Sequence, residues 1–337
     1  MKNKKINLVI LFIMIILVLY FSLKDDFNGV IKALSNVNIY IFALAILLFI
    51  LSLFFKSISL FMFIKDYDNN YSFKSAFSLT LISQFLNGIT PFQSGGQPFE
   101  VYLLKKKNIR ITDSTNALLK DFISFQIALI LMSILSIIIN IKTNILNTNS
   151  YLVWIILIGF IINFSVLLFL FIFANAKKTG KKILNKLTDF IFKFKIVNKL
   201  KFSKEKVKES INHFYETSQT VNKSKNKIIL GSLTNILYLI LLYLVPLFIF
   251  KSLGFDNVTL LSSIIITSFV MLIGNFVPIP GATGGIEFGF MKLFGVLVKG
   301  PVLSSAMLLW RTVTYFLAMI IGALTLLIER RQFEKWE

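Results

Sequence analysis

The sequence contains no cysteine, and its only histidine is His213. Disulfides, iron–sulfur ligation and thiol catalysis are therefore excluded, and a lone imidazole supports neither a histidine-based metal site nor a Ser-His-Asp triad. No metal or cofactor is expected. Acidic residues are also scarce, with 16 Asp and Glu against 36 Lys and Arg and a formal net charge of +20. Charged residues of both signs make up only 15% of the 337 residues, while 56% are hydrophobic and 15% aromatic. The mean hydropathy is +0.77. No soluble core buries that much apolar surface, and several runs reach the length of a bilayer crossing. These features predict an all-α polytopic membrane bundle forming a single domain over residues 1–337.

Six runs read as full spans: Ile6–Leu23, Ile39–Ile64, Thr115–Ile141, Tyr151–Phe173, Ile228–Phe250 and Val302–Ile328. The first follows a lysine-rich start, but no small-residue cleavage site comes after it, so it reads as a retained helix. Pro246 predicts a kink in the fifth span. Two further apolar stretches, Phe73–Leu104 and Val258–Val298, are broken by glycine and proline. The first contains P-F-Q-S-G-G-Q-P-F-E (Pro91–Glu100), and the second N-F-V-P-I-P-G-A-T-G-G-I-E-F-G-F (Asn275–Phe290). Such a backbone cannot continue as a helix. It survives at membrane depth only when sheltered by protein or lining a wet cavity.

Charge placement decides the topology. If all eight apolar runs crossed the bilayer from an inside N-terminus, the basic clusters at Lys105–Arg110 and Lys177–Lys227 would both lie outside, against the positive-inside tendency. Letting both broken stretches re-enter on their own side brings the two termini and both clusters to the cytoplasm. Of the 36 Lys and Arg, 27 then lie inside. The expectation is six spans plus two re-entrant hairpins in the cytoplasmic membrane. The hairpins enter from opposite faces and share a pattern of proline, a glycine pair (Gly95 and Gly96; Gly284 and Gly285), a glutamate (Glu100; Glu287) and a cation on the following span (Lys120; Arg311). That is an inverted repeat, an arrangement in which transporters place a site near the midplane.

Buried charge marks candidate site residues, because each costs about 2.5–3.5 kcal/mol at a helix centre on insertion scales and needs a partner or a task. For a charged lipid headgroup, Arg311 offers a bidentate grip on a phosphodiester. The helix starting near Gly285 offers N–H donors, and Glu287, Glu100 and Asp121 offer acceptors for an amine. Each has a structural alternative. Glu287 with Arg311 reads equally as a salt bridge pinning the second hairpin, Lys120 with Asp121 as an interfacial ion pair, and Lys56 and Lys292 as snorkelling side chains. An enzyme would have only Glu287 with Glu100 as an acid/base pair.

Residues 174–227 form a lysine-rich segment, and Lys177–Lys227 holds fifteen lysines and four acids. Apolar residues from Ile183 to Phe194 recur near helical spacing, which predicts an amphipathic helix on anionic inner-leaflet lipid. Nucleic acid is not an expected partner for a basic stretch tethered between spans.

On the motifs Pro91–Leu104, Pro278–Glu287 and Leu308–Arg311, the chain resembles the lysylphosphatidylglycerol synthase transmembrane-region family, also called UPF0104, over nearly its whole length. The resemblance implies a flippase-like domain that moves a lipid such as lysyl-phosphatidylglycerol, or a related charged or glycosylated lipid, between leaflets of the bacterial inner membrane. It also implies a role in resistance to cationic antimicrobial peptides. The soluble lysyl-transfer domain of multidomain relatives is not in this sequence, so the resemblance is to the membrane part. A phosphatidylglycerol lysyltransferase-type enzyme and a non-transporting scaffold are the alternative readings.

Overall fold

Hydrocarbon supplies no hydrogen-bond partners, so a chain crossing it must close its own backbone bonds. The computed structural model accordingly builds its elements as helices, and it describes residues 27–90, 96–146, 150–175, 224–274, 277 and 279–334. In chain order the helices are α1 (Phe27–Ser35), α2 (Ile39–Ile64), α3 (Phe73–Ile89), α4 (Gly96–Lys106), α5 (Ile111–Thr143) and α6 (Ser150–Asn175). They continue with α7 (Lys225–Ser252), α8 (Leu260–Gly274), α9 (Gly285–Phe294), α10 (Pro301–Arg311) and α11 (Ala318–Glu334). A 3-10 turn, Pro280–Ala282, precedes α9, and a π-helical turn, Thr312–Leu317, joins α10 to α11 into one long rod.

Among the described residues, five segments are long and apolar enough to cross a membrane: Ile39–Ile64, Ile111–Thr143, Tyr151–Phe171, Lys225–Ser252 and Pro301–Glu329. They correspond to five of the six expected spans. The expected first span, Ile6–Leu23, lies outside the described residues, as do Pro91–Gly95 and residues 176–223 of the lysine-rich segment. The short helices behave differently. At 1.5 Å per residue, α4 and α9 reach only about 17 and 15 Å, against an apolar thickness of about 30 Å. Each pairs with a preceding helix to make a hairpin: α3 with α4, and α8 with α9.

The hairpins open at opposite ends of the bundle. Lys227 at the start of α7 pairs with Asp66 just past α2, and Lys107 after α4 pairs with Glu329 near the end of α11, at 3.2 Å. Both ends of the first hairpin therefore sit at this basic end. At the other end, the Asn38 N–H donates to the Ser252 carbonyl at 2.7 Å, and the Ser305 hydroxyl of α10 donates to Val30 of α1 at 3.4 Å. The second hairpin starts and finishes there. In the interior, α3 of the first hairpin packs against the 3-10 turn before α9, and the Tyr315 hydroxyl of the π-helical turn donates to the Gly88 carbonyl at 3.0 Å.

Packing explains how the second hairpin is held. Phe250, Phe290, Phe294 and Trp310 form a buried aromatic cluster with centroid separations of 4.5–6.0 Å. Pro246 lies inside α7 and disturbs its hydrogen-bond ladder. Ser263 of α8 repairs it by accepting the Leu247 N–H at 3.2 Å and donating to the Tyr243 carbonyl at 2.7 Å. The proline site is thereby the point where α8 is stitched to α7.

The first hairpin is held on its outer side by α11. A Cβ at Gly322 would come within 2.3 Å of the Leu81 carbonyl oxygen and 2.9 Å of Phe85 Cβ. At an unconstrained helix position, Gly→Ala stabilises by about 0.5–1 kcal/mol. Here the sign is expected to reverse, with Gly322→Ala costing about 1–3 kcal/mol through overpacking against backbone. Thermal unfolding of the purified protein checks this, and an unchanged or raised midpoint contradicts so close a helix contact.

Candidate functional site

Lys56 lies about 12 Å from the C-terminal end of α2, counted at 1.5 Å per residue. Snorkelling to the interface was the expectation for it, and the structure corrects this. Its Nζ is 2.8 Å from Asp121 Oδ2 on α5 and 3.2 Å from Asn235 Oδ1 on α7, and it stands 5.1 Å from the Phe125 ring centroid. Asp121 Oδ1 accepts the Ser59 hydroxyl at 2.5 Å, and Asn235 Nδ2 donates to Ser59 Oγ at 2.9 Å and to the Gly231 carbonyl at 2.8 Å. Three helices thus converge on one ion pair whose partners are further satisfied by neutral groups, the condition under which buried charge is tolerated.

The Lys120–Asp121 pair does not form. Consecutive residues on a helix do not face one another. Lys120 is buried on a different face, where it donates to the Tyr67 hydroxyl at 3.1 Å and lies 5.2 Å from that ring. Lys292, by contrast, is exposed and 6.0 Å from the Phe288 ring.

Beside the Lys56–Asp121 pair is a chamber of about 340 Å³ enclosed by α2, α3, α4, α5, α6 and α7. Its wall is unusually polar for a membrane interior. Glu100 of α4 accepts a hydrogen bond from Ser83 across the hairpin. Asn87 accepts the Gly96 N–H at 2.9 Å, which fixes the start of α4. A Cβ at Gly96 would lie 2.6 Å from that amide oxygen, so a side chain there would push the Asn87 amide aside and loosen this contact. Gln84, Gln97, Gln126 and Asn163 complete the carboxamides, and Gln126 Oε1 is buried with no hydrogen-bond partner among the described residues.

The chamber adjoins a second space on the side of α6. An apolar cleft of about 830 Å³ runs between α4 and α5 on one wall and α6 on the other. Gln97, Leu118, Phe122, Ile162 and Val166 line both spaces and so mark the threshold. Farther out, Ile161 and Phe169 are exposed on the apolar surface of α6.

Glu287 and Arg311 build a second, separate cluster. Arg311 Nε is 2.7 Å from Glu287 Oε1, and both side chains are under 10% exposed, at 6% and 7%. The other carboxylate oxygen accepts the Gly284 N–H at 2.6 Å, so Glu287 caps its own helix. Arg311 Nη2 donates to Thr283 Oγ1 at 3.3 Å and reaches the Gly281 carbonyl at 3.5 Å, while the guanidinium stacks 4.0 Å from the Tyr315 centroid. The chain turns back here through positive φ at Gly281 (61°) and Gly284 (90°). A Cβ on Gly281 would stand 2.3 Å from the Tyr315 ring, and one on Gly285 2.3 Å from Val277 Cγ2. Of the two readings open for this pair, the geometry is that of the salt bridge pinning the hairpin. Between this cluster and the chamber lies a void of about 90 Å³, and Gln84, Asn87 and Tyr238 line both.

The sequence-derived set therefore divides. Glu100 and Asp121 face the chamber, with Gly96 supporting its wall. Glu287, Arg311, Gly284 and Gly285 belong to the bridge, Lys120 stands apart, and Gly95 lies outside the described residues. Glu287 does not line the chamber, so it is not brought together there with Glu100 as an acid/base pair. Charge patterning in the sequence gives Lys56 no such role and does not single out Ser59, Gln84, Gln126, Asn163 or Asn235. Their signal was present, as carboxamides and hydroxyls within apolar runs.

Comparison with known proteins gives a consistent picture. The family model described as "Lysylphosphatidylglycerol synthase TM region" matches residues 6–322. A UPF0104 membrane protein of Pyrococcus horikoshii is 25% identical, with 97% of this chain and 98% of the relative covered. One from Methanocaldococcus jannaschii is 26% identical over 98% and 96%. One from Archaeoglobus fulgidus is 26% identical over 75% and 76%.

Proposed function

The chain belongs to the lysylphosphatidylglycerol synthase TM region family, and from that membership we propose that it carries a lipid headgroup between the two leaflets of a cell membrane. The observation that supports this is the union of a polar chamber with an apolar cleft opening along α6. A headgroup enters the chamber through the cleft while the acyl chains stay in hydrocarbon, which removes the main cost of translocation, the exposure of polar groups to lipid. The Arg311–Glu287 bridge and the Tyr315–Gly88 contact close the route beyond the chamber. Release to the other leaflet requires the hairpin tips to part there.

The cargo is a phospholipid or glycolipid, with lysyl-phosphatidylglycerol the family-level example. If that is the cargo in a bacterial inner membrane, its outward movement lowers the negative charge met by cationic peptides. We place the basic end of the bundle and both termini in the cytoplasm, where residues 174–227 rest on anionic lipid.

Movement is tested in vesicles holding acyl-labelled phosphatidylglycerol, lysyl-phosphatidylglycerol or diglucosyl diacylglycerol, with a membrane-impermeant quencher reading outer-leaflet label. The wild-type protein is expected to speed exchange of at least one lipid. Ser165→Trp, which fills the cleft from an exposed position, is expected to slow it at least tenfold, roughly 1.4 kcal/mol in the barrier. No exchange of any of the three, or undiminished exchange by Ser165→Trp, contradicts the proposal.

A further inference from the structure

The chemistry of the chamber wall narrows the ligand class. Among the described residues Lys56 is the sole cation on that wall, and its ammonium is already committed to Asp121, Asn235 and the Phe125 face. Asp121 cancels its charge, so no uncompensated positive group waits for a phosphate. What remains is Glu100, held by the Ser83 hydroxyl, and a set of carboxamides that includes Gln84, Gln97 and Gln126. A carboxamide presents acceptor and donors on one side chain. A phosphate only accepts and an ammonium only donates, so either leaves half of that wall unmatched. A hydroxyl does both. The Gln126 amide is buried, and its Oε1 has no partner among the described residues, so the wall carries an unmet hydrogen-bonding demand. Phe122 and Tyr238 add flat apolar faces beside these polar groups, as suits a ring with hydroxyls at its edge and C–H groups on its face.

We infer that the group held in the chamber is polyhydroxylic, a sugar or polyol headgroup, in preference to a bare phosphate one. This rests on the lipid-carrying reading above, because the adjoining apolar cleft is what makes the ligand a lipid-linked sugar instead of a free one. A site built for hydroxyls discriminates strongly against analogues that lack them, since its own buried groups are then left unpaired.

The test uses the full chain purified in a non-glycosidic detergent and placed in phosphatidylcholine nanodiscs. The discs are doped with diglucosyl diacylglycerol, lysyl-phosphatidylglycerol or phosphatidic acid, and a further undoped sample receives soluble maltose. Native mass spectrometry and thermal shift read binding. The diglucosyl lipid is expected to be retained best, with Gln126→Leu weakening it about tenfold through one lost buried hydrogen bond. Gln97→Leu, at an exposed position with little bearing on folding, is expected to weaken it in the same direction. Neither variant is expected to alter retention of phosphatidic acid, whose headgroup has no alcohol hydroxyl. Preferential retention of a charged lipid, displaced by Ser165→Trp, overturns the headgroup class and leaves the lipid reading standing. Maltose binding as tightly as the glycolipid keeps the hydroxyl chemistry and removes the lipid. Glycolipid binding indifferent to both glutamine variants takes the ligand out of the chamber. No binding by folded protein overturns the inference and the lipid reading together.

Discussion

Replacing Glu287 by alanine is expected to cost about 3–5 kcal/mol, the loss that follows when one member of a buried ion pair is removed and the other stays. Two consequences act together. The Arg311 guanidinium, under 10% exposed, loses the carboxylate 2.7 Å from its Nε. The Gly284 N–H loses its acceptor at the first turn of α9. Glu287→Gln keeps an acceptor for Gly284 and is expected to fall between wild type and Glu287→Ala. Removing both charges with Glu287→Gln and Arg311→Met is expected to recover part of the loss, because no bare ion remains in the interior. Unfolding midpoints in detergent across this set give the coupling energy. If Glu287→Ala unfolds like the wild type, the bridge does not hold the second hairpin.

The Lys56–Asp121 pair is expected to behave similarly in stability and differently in function. Asp121→Ala strands an ammonium beside the chamber and frees the Ser59 hydroxyl. The Lys56 side chain keeps 20% exposure, so the cost is set at the lower end, about 3 kcal/mol. Combining Lys56→Met with Asp121→Leu replaces the pair by apolar groups of similar size, which is often neutral or better for stability. Lipid exchange is not expected to recover with it, since the chamber wall loses a polar pair and the Lys56 contact to Asn235 Oδ1. A stable double variant that moves lipid at the wild-type rate would show the pair to be scaffold alone.

The parts of the architecture visible in the sequence are those governed by local rules. Gly and Pro at Pro278–Gly285 cannot propagate a helix, and the basic cluster at Lys105–Arg110 asks for one particular side. The structure places both broken segments as hairpins opening at opposite ends. The pairing of charges was not visible, because it is decided by helix rotation and by contacts far apart in the chain. Lys56 and Asp121 are 65 residues apart, and Lys56 and Asn235 are 179 apart. Adjacency made Lys120 look like the partner of Asp121, whereas neighbouring helix positions point in different directions. The carboxamides of the chamber are hidden in the sequence for another reason. A search for charge in apolar runs finds Glu100 and Asp121 and passes over Gln126 and Asn163, although buried amides carry hydrogen-bond demands of their own.

The most direct measurement uses the absence of native cysteine. Single thiols are placed at Gln126, buried in the chamber wall, and at Leu51, which is 40% exposed on the apolar face of α2. Each protein, in lipid vesicles, is exposed to a glucosyl diacylglycerol bearing a thiol-reactive iodoacetyl group on its sugar. An adduct at Gln126→Cys, with none at Leu51→Cys, is the expected result, because a headgroup reaches that depth only through the cleft. No adduct at Gln126→Cys in folded protein, or equal labelling at Leu51→Cys, would contradict the entry of headgroups into the chamber.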